Sequence, residues 1–171
     1  MFTKSIENIS NQKAREYLTF TLGEEQYGLD VQQVQEIRGF EAVTQIANAP
    51  QFILGVINLR GKIVPIIDLR IKLNLNQVLY NELTTVIILN VGALTVGAVV
   101  DNVSDVVIVP EYQIKDFPSV AISVDTQYIL GIATIAECML ILLDIEQLLS
   151  GQESQLKDLA LGNHNKLKVG L

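Results

Sequence analysis

The feature that most constrains this chain is that it is written twice. Leu54–Leu73 lies over Leu130–Leu149 without a gap, at an offset of 76 residues. Leu54, Gly55 and Asp68 then meet Leu130, Gly131 and Asp144, and most other pairs set apolar on apolar. Upstream, Tyr17–Ile37 lies over Val86–Val106 at an offset of 69, with Gly23, Gly28, Val31 and Val34 facing Gly92, Gly97, Val100 and Val103. Two gap-free blocks in the same order indicate a tandem duplication, with repeat segments 17–73 and 86–149.

Within each repeat the pattern is that of short strands. Leu18, Phe20 and Leu22 alternate with Tyr17, Thr19 and Thr21, the period of a half-buried strand. Gly23-Glu24-Glu25-Gln26 reads as a turn, with Tyr27 opening the return strand. The three-residue spacing of Val31, Val34 and Ile37 suggests a short helical piece after Asp30. Gly55–Arg60 and Ile63–Leu69 form a hairpin around Gly61-Lys62, and Pro65 within it implies an edge or a bulge. Asp68 and Asp144 stand where helix N-caps belong. Several strands in so few residues predict a small barrel per repeat, marginal alone, so that two pack through a shared apolar seam. Val34 and Ile37 are expected near Val103 and Val106 at that seam. The folded unit is expected over 16–150, after a polar arm at 1–15. In the tail at 151–171, Leu156, Leu159 and Ala160 suit one helical stretch, and Gly162 onward looks loose.

Composition narrows the function classes. Apolar residues make up 49% and charged residues 18% of the 171. The net charge of −7, without a Lys/Arg cluster, opposes nucleic-acid binding and an anionic membrane surface. A single cysteine, Cys138, cannot form an internal disulfide and fits a reducing compartment. Leu83 to Val100 carries no charge for 18 residues. Asn90, Gly92, Gly97, the β-branched content and the repeat all argue for strands there. The only histidine, His164, lies in the tail, so metal ligation has no basis. Gly55 to Lys62 fails as a phosphate loop, because five residues separate the glycines and Ile63 follows Lys62. Asp68 and Asp144, present in both repeats, are caps rather than an acid–base pair. No constellation supports catalysis and no cofactor is implied.

In a duplicated chain, departures between repeats mark candidate sites. Asn58-Leu59-Arg60-Gly61-Lys62 faces Thr134-Ile135-Ala136-Glu137-Cys138, and Glu36-Ile37-Arg38-Gly39 faces Asp105-Val106-Val107-Ile108. Each departure places an arginine in the first repeat opposite an apolar residue. On composition such an arginine reads first as an ordinary solvated turn residue; beside an apolar seam it also suits a protein partner, because its planar fork meets carboxylates with two hydrogen bonds.

The stretches Tyr17–Gly23, Val34–Gly39, Gly55–Gly61 and Val64–Arg70 resemble the CheW family of chemotaxis coupling proteins, over about Glu16 to Ser150. The resemblance implies an all-β fold of two SH3-like five-stranded β-barrels about a pseudo-twofold, with short helices. It implies a non-enzymatic cytoplasmic adaptor, held at the inner face of the membrane through receptor arrays. Such an adaptor links the cytoplasmic tip of a chemoreceptor to the regulatory domain of the histidine kinase CheA and alternates with it in rings, alongside other CheW copies. The receptor-contacting positions fall on Val34, Glu36, Gly55 and Arg60, with Val103 and Val106 across the groove between barrels. The kinase-facing positions fall near Lys115 and Val120. The same motifs suit an adaptor of a parallel chemosensory system, such as one for twitching motility. An enzyme or small-ligand binder using the groove would need a deep polar pocket, which no residue pattern suggests.

Overall fold

The computed structural model describes residues 13–75, 78–117 and 127–162. Among these, ten strands form two five-stranded sheets. They are β1 (Ala14–Leu22), β2 (Glu25–Asp30), β3 (Val34–Gly39), β4 (Ile53–Leu59), β5 (Lys62–Asp68), β6 (Thr85–Val91), β7 (Leu94–Val100), β8 (Asn102–Pro110), β9 (Ile129–Ile135) and β10 (Cys138–Leu143). The helices are short: α1 (Leu69–Lys72), α2 (Ile145–Leu148) and α3 (Glu153–Ala160), with 3-10 turns at Val31–Gln33 and Glu111–Gln113.

The first sheet runs β8-β1-β2-β10-β9 and the second β3-β6-β7-β5-β4. Exchanging each strand for its repeat partner (β1 for β6, β2 for β7, and so on) turns one order into the other. Register obeys the same exchange: Thr19 pairs with Gly28 as Ile88 pairs with Gly97, and Leu142 meets Gly28 as Ile66 meets Gly97. Neither repeat makes a sheet of its own, which corrects the expectation of one barrel per repeat. Each sheet takes two strands from one repeat and three from the other, joined at two places: an antiparallel pairing, β1 with β8 and β3 with β6, and a parallel one, β2 with β10 and β5 with β7. A two-strand piece alone would leave its apolar face uncovered and both outer edges unpaired, so exchange completes both sheets at once.

Hairpin turns sit one residue earlier than the sequence suggests. β4 and β5 are joined by Arg60-Gly61 (φ 51° and 86°), and β9 and β10 by Ala136-Glu137 (φ 49° and 68°). Two consecutive positive φ values define the two-residue turn whose twist matches antiparallel strands. Gly23-Glu24 forms the whole turn between β1 and β2, with positive φ at Gly23 alone, and Lys62 and Cys138 are the first residues of their strands. Pro65 lies within the interior strand β5, but β7 pairs with β5 only from Ile66 onward. Its missing N–H therefore falls where β5 has one neighbour. β1 begins at Ala14, inside the segment expected as an arm.

One apolar cluster spans both sheets, from Phe20, Leu22 and Leu29 in the first to Ile67, Ile87 and Leu89 in the second. Leu156 and Leu159 of α3 are fully buried in it, so this part of the expected tail is docked. On each sheet an isolated bridge brings the chain beyond one edge strand against the other edge: Thr44 meets Val56, and Lys115 meets Ile132. The uncharged stretch from Leu83 to Val100 is the β6–β7 hairpin. No helix among the described residues is long and apolar enough to cross a membrane.

Candidate functional site

Arg60 is carried at the tip of the β4–β5 hairpin, with its backbone in the left-handed region and its side chain 65% exposed. Its Nη1 and Nη2 donate to Glu36 Oε2 and Oε1, both at 3.2 Å. Glu36 alternates with exposed neighbours on β3, which places it on the half-buried face of that strand. The fork joins the two departures between repeats, with Asp105 and Ala136 at the equivalent positions. It is screened by solvent and contributes about 1 kcal/mol at most. Its geometric effect is to tie the tip of the β4–β5 hairpin to β3.

Val34 and Val103 pack, half-buried, against the one core cluster that spans both sheets. Ile37 and Val106, the outward members of the expected seam, are 47% and 44% exposed. Val34 and Val103 are thus half-buried against the shared core, while Ile37 and Val106 are open to solvent. Gly55 does not join this surface, because it is buried. A Cβ there would collide with the Thr44 carbonyl, at φ 150°. Gly131, its counterpart, would place a Cβ 2.8 Å from the Lys115 carbonyl. Both glycines let the bridging segment cross their strand closely. Lys115 exchanges backbone hydrogen bonds with Ile132 at 2.8 Å in both directions while its side chain is exposed. Val120 lies outside the described residues.

A second polar cluster escaped the sequence reading. Asp68 and Arg70 are the two buried charged residues among those described. Asp68 does cap α1, accepting from Arg70 N at 2.9 Å, but it also takes the Arg70 side chain, Nε to Oδ1 at 3.0 Å and Nη2 to Oδ2 at 2.9 Å. Arg70 Nη1 donates to the Leu79 carbonyl at 2.6 Å and to Asp101 Oδ1 at 2.8 Å. The Tyr80 ring lies over the guanidinium, 4.8 Å from Cζ, and its hydroxyl donates to Asp68 Oδ2 at 2.7 Å. Burial alone would lower the Arg70 pKa, but the hydrogen bonds and charges of Asp68 and Asp101 carry it upward. The Tyr80 phenol is pushed up to about 12, by burial first and then by its bond to Asp68. The available signal was a third departure, since Arg70 faces Glu146 across the repeats.

Nothing in either cluster points to catalysis. A hollow of about 200 Å³ on the second sheet is lined by Arg38, Glu41, Val43, Thr44 and Asn58, with no serine, cysteine, lysine or histidine in its wall. Among the described residues no three of His, Cys, Asp and Glu gather as metal ligands.

Comparison with known proteins gives one family. The family model of the CheW-like domain matches residues 16–153. The chain is 53% identical over 150 residues to a chemotaxis protein CheW of Klebsiella aerogenes, covering 88% of this chain and 90% of that protein. It is 34% identical to a probable chemotaxis protein CheW of Rhizobium etli, covering 85% and 94%. Among solved structures, the scaffolding protein TtCheW of Thermoanaerobacter tengcongensis superposes with a TM-score of 0.74 at 33% identity, over 81% of this chain and 89% of that one.

Proposed function

The chain belongs to the CheW-like family, and from that premise we infer that it holds a chemoreceptor tip and the regulatory domain of the kinase CheA at once. It is a chemotaxis adaptor, and its work is non-covalent. The observation that carries this reading is the family match over residues 16–153, which takes in both sheets. Each sheet reads as an SH3-like barrel, supported by the bridges Thr44–Val56 and Lys115–Ile132 between opposite edges. The folded unit extends past residue 150 to include α3, whose leucines complete the shared core.

The receptor surface is assigned to the rim between the sheets: Glu36 and Arg60 on the second sheet, Val106 on the first, with Val34 and Val103 forming the floor. Gly55 shapes this surface from below by letting Thr44 cross β4. A helical hairpin of a receptor tip would bury Ile37 and Val106 and meet the Arg60–Glu36 fork. The kinase surface is assigned to the first sheet at Lys115, with Val120 nearby in sequence. A shift of the receptor helices would change how the adaptor holds the kinase, biasing its active and inactive states by differential contact. Individually weak contacts gain strength through repetition in an array. This places the protein in the cytoplasm, at the inner face of the membrane through the receptors it holds.

Calorimetric titration against a CheA regulatory domain and, separately, against a receptor-tip fragment tests the reading. Binding to both, with the receptor arm alone weakened by Arg60→Glu, is the expected result. Failure to bind either partner from the same organism would refute it.

A further inference from the structure

The chain passes from one sheet to the other at two pseudo-equivalent places. The first crossing runs from β2 through Val31–Gln33 to β3, and the second is Asp101, the single residue between β7 and β8. Asp101 is gripped from both sides. Its Oδ1 accepts from Arg70 Nη1, which belongs to α1 at the end of β5 in the second sheet. Its Oδ2 accepts from Gly23 N at 2.7 Å, in the β1–β2 turn of the first sheet, and its own N–H donates to the Thr21 carbonyl at 3.1 Å. Arg70 cannot yield, because the Asp68 fork and the Leu79 carbonyl hold the rest of its guanidinium.

The other crossing lacks this clamp. Gln32 stands at the position equivalent to Asp101, and Glu146 at that of Arg70. Asp30 there caps Gln32 N at 2.9 Å and reaches Arg15 only at 3.9 Å. A carboxylate with donors on two bodies is satisfied in only one arrangement of those bodies. The groove residues divide between those bodies, with Val34, Glu36 and Arg60 on the second sheet and Val103 and Val106 on the first.

We propose that Asp101 is a locked hinge, a positioning residue that sets the angle between the sheets and so the width of the groove between β3 and β8. The consequence for partners rests on assigning that groove to the receptor. A partner that spans both sheets senses the hinge, and a partner seated on the first sheet alone does not.

The test uses the full chain with Cys138→Ser and spin labels at Gln35→Cys on β3 and Ser104→Cys on β8, both exposed positions. Pulsed dipolar spectroscopy should give one narrow distance in the parent and a broadened or shifted distribution in Asp101→Asn. That variant keeps an acceptor for Arg70 but turns an amide toward the Gly23 N–H. Asp101→Glu, with its carboxylate on a longer stem, replaces it if the amide variant does not fold. Without labels, Asp101→Asn should lose about fivefold or more in affinity for a receptor-tip fragment and bind the CheA regulatory domain unchanged. A broad parent distribution, an unchanged distribution in the variant, or equal broadening in Tyr80→Phe, which leaves the clamp intact, would overturn the hinge. If the parent binds neither partner, the adaptor reading fails while the label distances still decide the hinge.

Discussion

Two arginines ten positions apart behave in opposite ways, and exposure is the reason. Arg60 lies in water at a hairpin tip, whereas Arg70 is enclosed with Asp68. Arg60→Ala should therefore change stability by no more than about 1 kcal/mol in urea unfolding while weakening receptor binding. Arg70→Ala strands a buried carboxylate and should cost about 3–5 kcal/mol in the same measurement. Tyr80 adds a pH dependence. Unfolded, its phenol ionises near the ordinary value of 10, and folded, nearer 12. The unfolded state thus gives up this proton first, so the contribution is complete below pH 10 and is lost as pH rises toward 12. Tyr17 and Tyr27 are also raised, each chiefly by burial. The Tyr80 share is read as the difference between parent and Tyr80→Phe in thermal melts from pH 9 to 12, with the variant showing the flatter decline. At this scale the sequence spoke through contrast. Aligning the repeats exposed Arg60, which faces Ala136, whereas Glu36 faces another acid, Asp105, and was marked only by the family resemblance. Asp68, being common to both repeats, passed as a cap, and its second partner was invisible without the loop that folds Leu79 and Tyr80 over Arg70.

Among the elements, the β9–β10 turn carries an evident cost. Both Ala136 and Glu137 have positive φ without a glycine, while the matching β4–β5 turn has Gly61 at its second position. Glu137→Gly should raise stability by about 0.5–1 kcal/mol, read from the urea midpoint at constant slope. Helix α3 gives a prediction of the other sign. Leu156 is fully buried, and Leu156→Ala should cost about 2–5 kcal/mol, depending on how far the cavity collapses. Strand existence was legible from alternation and turn residues, and a short helical piece does follow Asp30, although Val34 and Ile37, whose spacing suggested it, lie on β3 across a register shift. Turn positions slipped by one because a two-residue turn needs φ > 0 at both centres, and arginine is not a residue from which that is read. Pro65 suggested an edge, and only the short reach of the β7 ladder explains how it sits inside a sheet.

For the whole molecule, the duplication was readable but the exchange between repeats was not. Similarity says which segments are alike, whereas pairing depends on which edges meet, and the parallel ladders β2–β10 and β5–β7 join residues far apart in the chain. The topology has a temporal side. The strands of the second sheet are contiguous, from β3 to β7, and they lie inside the chain of the first, whose β1 and β2 precede them and whose β8 to β10 follow. On a ribosome, the inner sheet has all its strands once Val100 has emerged. The opening hairpin must by then have waited through its entire synthesis, and it goes on waiting until β10 arrives more than a hundred residues after β2. β8 covers the β1 edge soon after Val100, and the edge left bare longest is the one that β10 will cover, so nascent chains arrested before Cys138 are where premature association with a neighbour would begin.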